Sequence, residues 1–128
     1  MSMYDRSREA SQRFADRRKR EDEAPRLREE FPSLRTLRLE VEEQRGTSTV
    51  AETKHVRIVI IDRAPALFIL PCGDSDCREG GNDVTTEVLD RLRNGVKAFT
   101  VEDKCFGNVR DVACGRIVRV HATATYSP

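Results

Sequence analysis

The feature that most constrains this chain is its four cysteines, which fall in two short segments. Cys72 and Cys77 lie in LPCGDSDCREGGNDVTTEV, and Cys105 and Cys114 lie in DKCFGNVRDVACGRI. Two close pairs of cysteines, separated by a helix and a strand, are typical of a metal site in which each pair acts as a local clamp. The pattern therefore predicts a structural zinc ion held by four thiolates.

The residues around the cysteines support a metal site with unusual spacing. Glycine directly follows Cys72 and Cys114, and a tight turn around a metal often needs the positive φ that glycine accepts. The gaps, C-x4-C and C-x8-C, lie at and beyond the long end of the usual range. Residues 70–116 resemble a zinc ribbon with inserted loops. That resemblance implies a structural zinc ion and contacts with nucleic acid or protein partners.

Three other interpretations of the cysteines stay open on the sequence alone. Disulfides or a thiol switch are one, because Cys77 lies in a charged loop where a thiol can be reactive. Buried thiols without a ligand are another. A catalytic zinc is the third, with Asp74, Asp76 and Glu79 as nearby acids or bases. A cytosine-deaminase-like site is excluded, since its His-x-Glu and Pro-Cys-x-x-Cys motifs are missing.

Hydrophobic periodicity predicts the fold class of residues 32–128, a zinc-binding α+β domain. Alternating or short apolar runs predict an antiparallel sheet of about five strands with zinc-clamped loops at one end. These runs are 34–43, 54–62, 66–70, 96–103 and 115–127. The second run is apolar on both faces in its latter half and is expected to be a central strand. The strand around Leu37–Val41 is expected to be an edge strand that can add to another sheet.

One helix is expected to pack on this sheet, over residues 82–95. Val84, Val88 and Leu92 fall on one face, and Asn82 or Asp83 can cap the N-terminus. Asn94 and Gly95 supply a left-handed exit. The helix separates the third and fourth predicted strands, so the order is β-β-β-α-β-β.

Residues 1–31 are predicted to form a charged helical arm. Residues 4–21 have helical spacing with a thin apolar stripe, and a second short helix is expected between Pro25 and Pro32. So little apolar surface predicts an arm that docks on a neighbour. The preferred function is therefore a zinc-binding protein-interaction or adaptor module, with a homodimer formed by exchange of arms as one form.

The alternative function is a nucleic-acid- or ribosome-associated, zinc-ribbon-like binding protein. A basic cluster near the end of the arm is the candidate phosphate contact, since guanidinium groups match phosphates. This cluster consists of Arg13, Arg17, Arg18, Lys19 and Arg20. The acidic residues that follow this cluster oppose a polyanion.

Composition and missing motifs exclude several classes. The chain has 128 residues, 35% of them charged, and a net charge of +1. No apolar run reaches the length of a membrane helix, and no secretory signal is evident, so a cytoplasmic location is expected. No phosphate-binding loop or nucleophile motif occurs, and His55 and His121 lie on strands where ligand or base roles are uncommon. The chain is therefore expected not to be an enzyme.

Overall fold

The computed structural model describes residues 3–45, 53–74, 76–78 and 80–128. Most of the residues between the first two predicted strands fall outside these ranges, as does Glu79. The elements follow the chain as α1 (Met3–Glu23), α2 (Leu27–Glu30), β1 (Leu34–Gln44), β2 (Thr53–Val59), β3 (Ile69–Leu70), β4 (Asn82–Asp83), α3 (Thr85–Arg93), β5 (Ala98–Lys104), β6 (Asn108–Val109), β7 (Val112–Ala113) and β8 (Ile117–Tyr126).

Four long strands form one antiparallel sheet in the order β2-β1-β8-β5. β1 and β8 pair over most of their length, with Leu39 opposite Ala122 and Val41 opposite Val120. These residues belong to the alternating apolar sets of the two strands. Within these two strands one face is therefore apolar along most of its length, and the other carries mainly charged and hydroxyl side chains.

The helical and loop segments cover the apolar face. On α3, Val88 and Leu92 are buried, as expected from their spacing. Leu27 of α2 is also fully buried, with Phe31 and Phe68 beside it in the same core cluster. The expected α+β class, with an antiparallel sheet and one packed helix, is confirmed in these terms.

The sheet differs from the sequence expectation in three respects. It has four strands, because 66–70 yields only β3, which pairs with β4 apart from the main sheet. The expectation that the second strand is central was wrong, since β2 is an edge strand. The expectation that Leu37–Val41 is an edge was also wrong, since β1 lies between β2 and β8. The buried Val59 and Ile61 lie at and beyond the end of β2, which explains the misleading apolar pattern.

Helix α3 begins later than expected because Asn82 and Asp83 form β4 before it. The N-cap position is Val84, which offers no side-chain cap. Asp83 compensates from one position earlier, since its Oδ1 accepts a hydrogen bond of 3.0 Å from the Thr85 N–H. The expected left-handed exit is confirmed at Gly95, whose φ is 69°.

Helix α1 lies on the surface of the described structure. Among its described side chains none is buried, and its link to the body includes an ion pair between Arg20 and Asp83 at 3.4 Å. Leu27 and Phe31 belong to the core, so the segment without core contacts ends before Leu27. The division of the chain at residue 31 stays a prediction. No helix in the described ranges is long and apolar enough to cross a membrane.

Candidate metal centre

The fold brings the four predicted ligands together. The Sγ atoms of Cys72, Cys77, Cys105 and Cys114 all lie within 4.8 Å of one another. Cys77 and Cys105 are buried, whereas Cys72 and Cys114 are half-buried. Four sulfurs at this separation, at the edge of the core, form a site that can hold one metal ion.

Two of the sulfur separations match a tetrahedral metal site rather than disulfide bonds. The Sγ atoms of Cys77 and Cys105 are 3.7 Å apart, and those of Cys72 and Cys114 are 3.8 Å apart. Metal–sulfur bonds of about 2.3 Å in a tetrahedron place sulfurs about 3.8 Å apart, whereas a disulfide needs about 2.05 Å. All four thiols are free, so the described geometry corresponds to a cluster of ligands.

Two close sulfur contacts join one segment to the other. Cys72 Sγ lies 3.8 Å from Cys114 Sγ, and Cys77 Sγ lies 3.7 Å from Cys105 Sγ. The sequence pattern predicted that the two cysteines of each segment would form a local clamp on the metal. The structure brings the cysteines together as a crosswise set, which explains why the local spacings need not match the usual gap between two ligands of one turn.

Backbone hydrogen bonds hold the two cysteine segments against each other. Arg78 and Asn108 form an isolated antiparallel bridge, with N–H···O distances of 2.7 Å and 2.9 Å in the two directions. The Cys114 N–H donates to Gly107 O at 2.8 Å, and the Cys105 N–H donates to Arg116 O at 2.8 Å. The sulfurs therefore approach one another from loops that backbone hydrogen bonds hold together.

Two glycines make room for the sulfur atoms because they carry no side chain. A Cβ on Gly107 would lie 2.5 Å from Cys77 Sγ, and one on Gly80 would lie 2.6 Å from Cys105 Sγ. Real Cβ atoms essentially never approach a neighbour so closely. The spacing of each glycine from its cysteine, Cys77-x-x-Gly80 and Cys105-x-Gly107, was a sequence signal for this close approach that the sequence reasoning missed.

The two glycines that directly follow cysteines are needed for different structural reasons. Gly115, after Cys114, has a φ of 62°, which confirms the expected tight turn. Gly73, after Cys72, lies against the carboxylate of Glu43, and a Cβ there would collide with it. Close packing, not a positive φ, therefore requires the glycine at position 73.

Backbone N–H groups point at two of the sulfurs. The Gly81 N–H donates to Cys105 Sγ at 3.3 Å, and the Asp74 N–H donates to Cys72 Sγ at 3.5 Å. Such bonds stabilise thiolates and orient ligands in metal sites. Gly81 thus contributes a donor to the sulfur cluster, next to Gly80.

The protonation of the thiols follows from burial and from these N–H groups. Burial raises the pKa of Cys72 to about 12 and also raises the pKa of Cys77. Burial disfavours the charged form of Cys105 as well, but the N–H groups of Gly107 and Gly81 outweigh it and lower its pKa. Without a metal, Cys72 and Cys77 are therefore protonated at neutral pH, so a metal has to displace their protons.

A buried ion pair supports the loop that carries Cys72. Glu43 Oε2 lies 3.5 Å from Arg116 Nε, and both side chains are about nine-tenths buried. The same carboxylate accepts hydrogen bonds from the Gly73 N–H at 3.2 Å and from the Thr53 hydroxyl at 3.1 Å. Glu43 therefore links β1 and β2 to the residue that follows Cys72.

This pair was missed, although the strand patterns contain a signal for it. Glu43 continues the buried set Leu37, Leu39 and Val41 in steps of two, and Arg116 precedes Val118 in the same way. A charged residue at a core position of a strand predicts a buried partner of opposite charge. Two such residues, one on each of two strands, would have predicted the pair.

A cleft of about 450 Å³ separates the end of α1 from the cysteine site. Its lining includes Cys72 and Cys77 on one side and Phe14, Arg17 and Arg20 on the other. Asp16 and Asp74 line it too, so its charge is mixed. The cleft makes one side of the cysteine site accessible, in keeping with the half-buried Cys72.

The predicted basic cluster is only partly available for phosphate contacts. Arg17 lies 4.0 Å from Glu21 and Arg20 lies 3.4 Å from Asp83, whereas Arg18 and Lys19 are exposed. The side chain of Arg13 is outside the described part of the chain. The structure brings these residues onto one helix near the cysteine site, without bringing them together as one free surface.

The two histidines do not belong to the cysteine site. His121 Nε2 lies 3.3 Å from Glu42 Oε2, and its Nδ1 lies 2.9 Å from the Thr100 hydroxyl, on the polar face of the sheet. His55 is exposed on β2.

The acidic residues Asp74 and Asp76, considered from the sequence as acids or bases beside a catalytic zinc, lie in a turn between Cys72 and Cys77. The Asp76 N–H donates a hydrogen bond to Asp74 Oδ1 at 2.9 Å.

Functional conclusions for this chain depend on its own structure, because the comparisons with known proteins give no match. No protein-family model matches the chain, and neither the curated proteins nor the solved structures give a significant match. The likeness to a zinc ribbon stays a prediction, resting on the placement of cysteine and glycine.

Proposed function

We propose that this chain binds one structural zinc ion through Cys72, Cys77, Cys105 and Cys114. The observation that carries the proposal is the pair of sulfur separations, 3.7 Å and 3.8 Å, which equal the edge of a zinc–thiolate tetrahedron. All four positions are taken by protein ligands, so no position is left for a substrate or an activated water. The ion then has a structural role, and the protein is not an enzyme.

Thiolate chemistry favours zinc among the common metals. Four sulfur ligands suit zinc or iron, whereas magnesium and calcium prefer oxygen. Zinc forms tetrahedral thiolate sites without a redox requirement, and a reducing cytoplasm keeps the thiols free for it. We therefore place the protein in the cytoplasm.

Metal content per chain is the direct test. Protein purified without added metal should contain one zinc ion per chain, and four free thiols after denaturation with a chelator. Cobalt substitution should give the absorption of a tetrahedral site with sulfur ligands. The variant Cys77→Ser is the matched control and should lose the bound ion. Absence of metal together with fewer than four thiols would overturn the proposal in favour of disulfides.

We further propose that the protein is an interaction module and that α1 contributes to the binding of a protein partner. None of the described side chains of α1 is buried, and Phe14 is 54% exposed. A helix with so few contacts gains its stability from packing on another surface. The end of α1 pairs with the body through Arg20 and Asp83, beside the cleft that Cys72 and Cys77 line.

The role of α1 is tested by shortening the chain without touching the core. A chain that begins at Ala24 removes α1 and keeps Leu27 and Phe31, which are core residues. Partner capture that resists high salt and disappears with the shortened chain supports a protein partner. The full-length variant Arg18→Ala/Lys19→Ala is the control. Salt-sensitive binding of nucleic acid that this variant loses would instead support the alternative function.

A further inference from the structure

The four cysteines of the metal site differ in their exposure. Cys77 and Cys105 are 8% and 3% exposed, whereas Cys72 and Cys114 are half-buried. From the sequence alone Cys77 was considered as the reactive thiol, because its loop is charged. In the folded chain Cys77 belongs to the buried pair, so a reagent in solution has easier access to Cys72 and Cys114.

The two half-buried cysteines each border a surface cavity. Cys72 lines the cleft of about 450 Å³ beside α1, and Cys114 lines a second cavity of about 620 Å³. Asp74 lines both, so the two cavities meet at the loop that follows Cys72. Each cavity is many times larger than the roughly 30 Å³ that one water molecule takes up in the liquid, so a molecule as small as hydrogen peroxide fits in either.

The main chain shields the other two sulfurs. A Cβ on Gly80 would collide with the sulfurs of Cys77 and Cys105, and one on Gly107 would lie 2.5 Å from Cys77 Sγ. The backbone at both glycines therefore lies directly against this pair. Cys77 also lines the cleft beside α1, but with so little of it exposed the cleft gives a reagent far less access to Cys77 than to Cys72.

Distance alone does not distinguish the two pairs. Cys72 Sγ lies 3.8 Å from Cys114 Sγ. Cys77 Sγ lies 3.7 Å from Cys105 Sγ. A disulfide bond is about 2.05 Å long, so the sulfurs of either pair would have to approach by about 1.7 Å. Access from solution therefore decides which pair a small oxidant converts first.

We propose that Cys72 and Cys114 form a modification site for a small peroxide, and that their oxidation to a disulfide releases the metal ion. The inference rests on the zinc site proposed above and assigns a regulatory role to one half of its ligands. Accessible cysteines beside a second cysteine that can resolve the first oxidation product are typical of oxidant sensors. Disulfides in the cytosol are usually transient ones of this kind.

The oxidation takes two electrons from the two sulfurs. Coordination by zinc keeps the sulfurs as thiolates. One of the two thiolates attacks an oxygen of hydrogen peroxide, so an S–O bond forms, the O–O bond breaks and hydroxide leaves. The other thiolate then attacks the oxidised sulfur, so the S–S bond forms, the S–O bond breaks and a second hydroxide leaves. Two thiolates, one hydrogen peroxide and two protons from solvent become one disulfide and two water molecules.

The new disulfide removes two of the four ligands from the metal. The buried pair, Cys77 and Cys105, cannot complete a tetrahedral site by itself, so the ion is released. The disulfide also joins residue 72 to residue 114, which keeps the chain closed at that point while the ion is absent. Reduction by a thiol then restores all four ligands in the same place, and the release is reversible.

Treatment of the native chain with hydrogen peroxide is the direct test. The protein is prepared under a reducing agent, which is then removed, and its zinc content is measured. A chromogenic chelator follows zinc during the oxidation, and mass spectrometry identifies the disulfide. One zinc ion should be released for each Cys72–Cys114 disulfide formed, and dithiothreitol with added zinc should restore the original metal content.

The sequence allows each possible disulfide to be identified. A protease that cleaves before aspartate separates the four cysteines, at Asp74 or Asp76 in the first segment and at Asp111 in the second. A first disulfide that joins Cys77 to Cys105, or that joins two cysteines of one segment, would overturn the inference.

Alkylation tests access independently of oxidation. With less than one equivalent of iodoacetamide per chain, most modified chains carry a single label, and the buried pair is the internal control. The label should be found on Cys72 or Cys114 and be nearly absent from Cys77 and Cys105. An even distribution among the four sulfurs would contradict the difference in access on which the inference depends.

Failure of this inference is distinguishable from failure of the zinc proposal. Protein that contains no zinc before oxidation contradicts the proposed function and the inference together. Protein that contains one zinc ion and keeps it under peroxide, or loses it without a Cys72–Cys114 disulfide, contradicts the inference alone.

Discussion

Glu43 accepts a hydrogen bond of 3.2 Å from the backbone N–H of Gly73, which ties the end of β1 to the residue after Cys72. The same carboxylate pairs with Arg116, two residues after Cys114. One buried acid thus contacts residues beside two of the four cysteines. The metal site is therefore supported by the main sheet and not only by its own loops.

Removal of the Glu43 carboxylate should destabilise the folded protein. Glu43→Ala removes the buried carboxylate that contacts Arg116 and the Gly73 N–H, and it should lower the free energy of unfolding by about 3–5 kcal/mol. Glu43→Gln keeps an acceptor for Gly73 and should cost less. The double variant Glu43→Met/Arg116→Met should recover much of the loss. Urea unfolding of zinc-saturated protein measures all three, and a change in Glu43→Ala below about 0.5 kcal/mol would count against a structural role for the pair.

Replacement of one buried ligand should destabilise the protein through loss of the metal. Cys77→Ser should lower stability by several kcal/mol, because binding energy of a structural zinc ion is folding energy. Thermal unfolding with and without a chelator measures this. The chelator should lower the Tm of the native chain and leave that of the variant unchanged. A variant with the native Tm would contradict the structural role.

Two glycine substitutions separate steric effects at the site from ordinary backbone strain. Gly80→Ala places a methyl group against the sulfurs of Cys77 and Cys105, so it should reduce zinc affinity as well as stability. Gly95→Ala is the matched control, since its Cβ meets no atom within 4 Å and only its φ of 69° is unfavourable. The control should cost about 1–2 kcal/mol and bind zinc normally. Competition with a chromogenic chelator gives the affinities, and equal affinities would contradict the steric role of Gly80.

Zinc affinity should increase with pH. Burial raises the pKa of Cys72 to about 12 and raises the pKa of Cys77, so both thiols are protonated in the metal-free protein near neutral pH. Protons compete with the metal below those pKa values, and the apparent affinity should fall about tenfold per pH unit for each proton displaced. Calorimetry in buffers of different ionisation enthalpy counts the protons released. Binding without proton release would show that the thiolates are already formed.

The sequence predicted those features that follow from local periodicity. The buried set Val118, Val120, Ala122 and Ala124 of β8 and the apolar face of α3 were found where alternation and helical spacing put them. The four cysteines were identified as one cluster because two close pairs, separated by a helix and a strand, are typical of a four-thiolate site. These patterns need no knowledge of which strands are neighbours.

Features that depend on strand order were not predicted. Val56, Ile58 and Ile60 were expected to share one face of a central strand, but β2 is an edge strand and these three side chains are exposed. Alternation reveals which residues share a face, yet it does not reveal where a strand lies in the sheet. The crosswise approach of Cys77 to Cys105 was hidden for the same reason, since it depends on how two distant loops pair.

The crosswise arrangement of the sulfurs has a consequence for local opening of the fold. Cys77 and Cys105 enclose a loop that contains α3 and β5, and Cys72 and Cys114 enclose that loop in turn. With a metal bound, the two closures are nested, and the ends of the inner segment cannot separate while the ligands hold. With the metal bound, the amide hydrogens of α3 should therefore exchange with solvent through the same slow opening as those of β8. After chelation, α3 should open separately, and its amide hydrogens should exchange faster than those of β8.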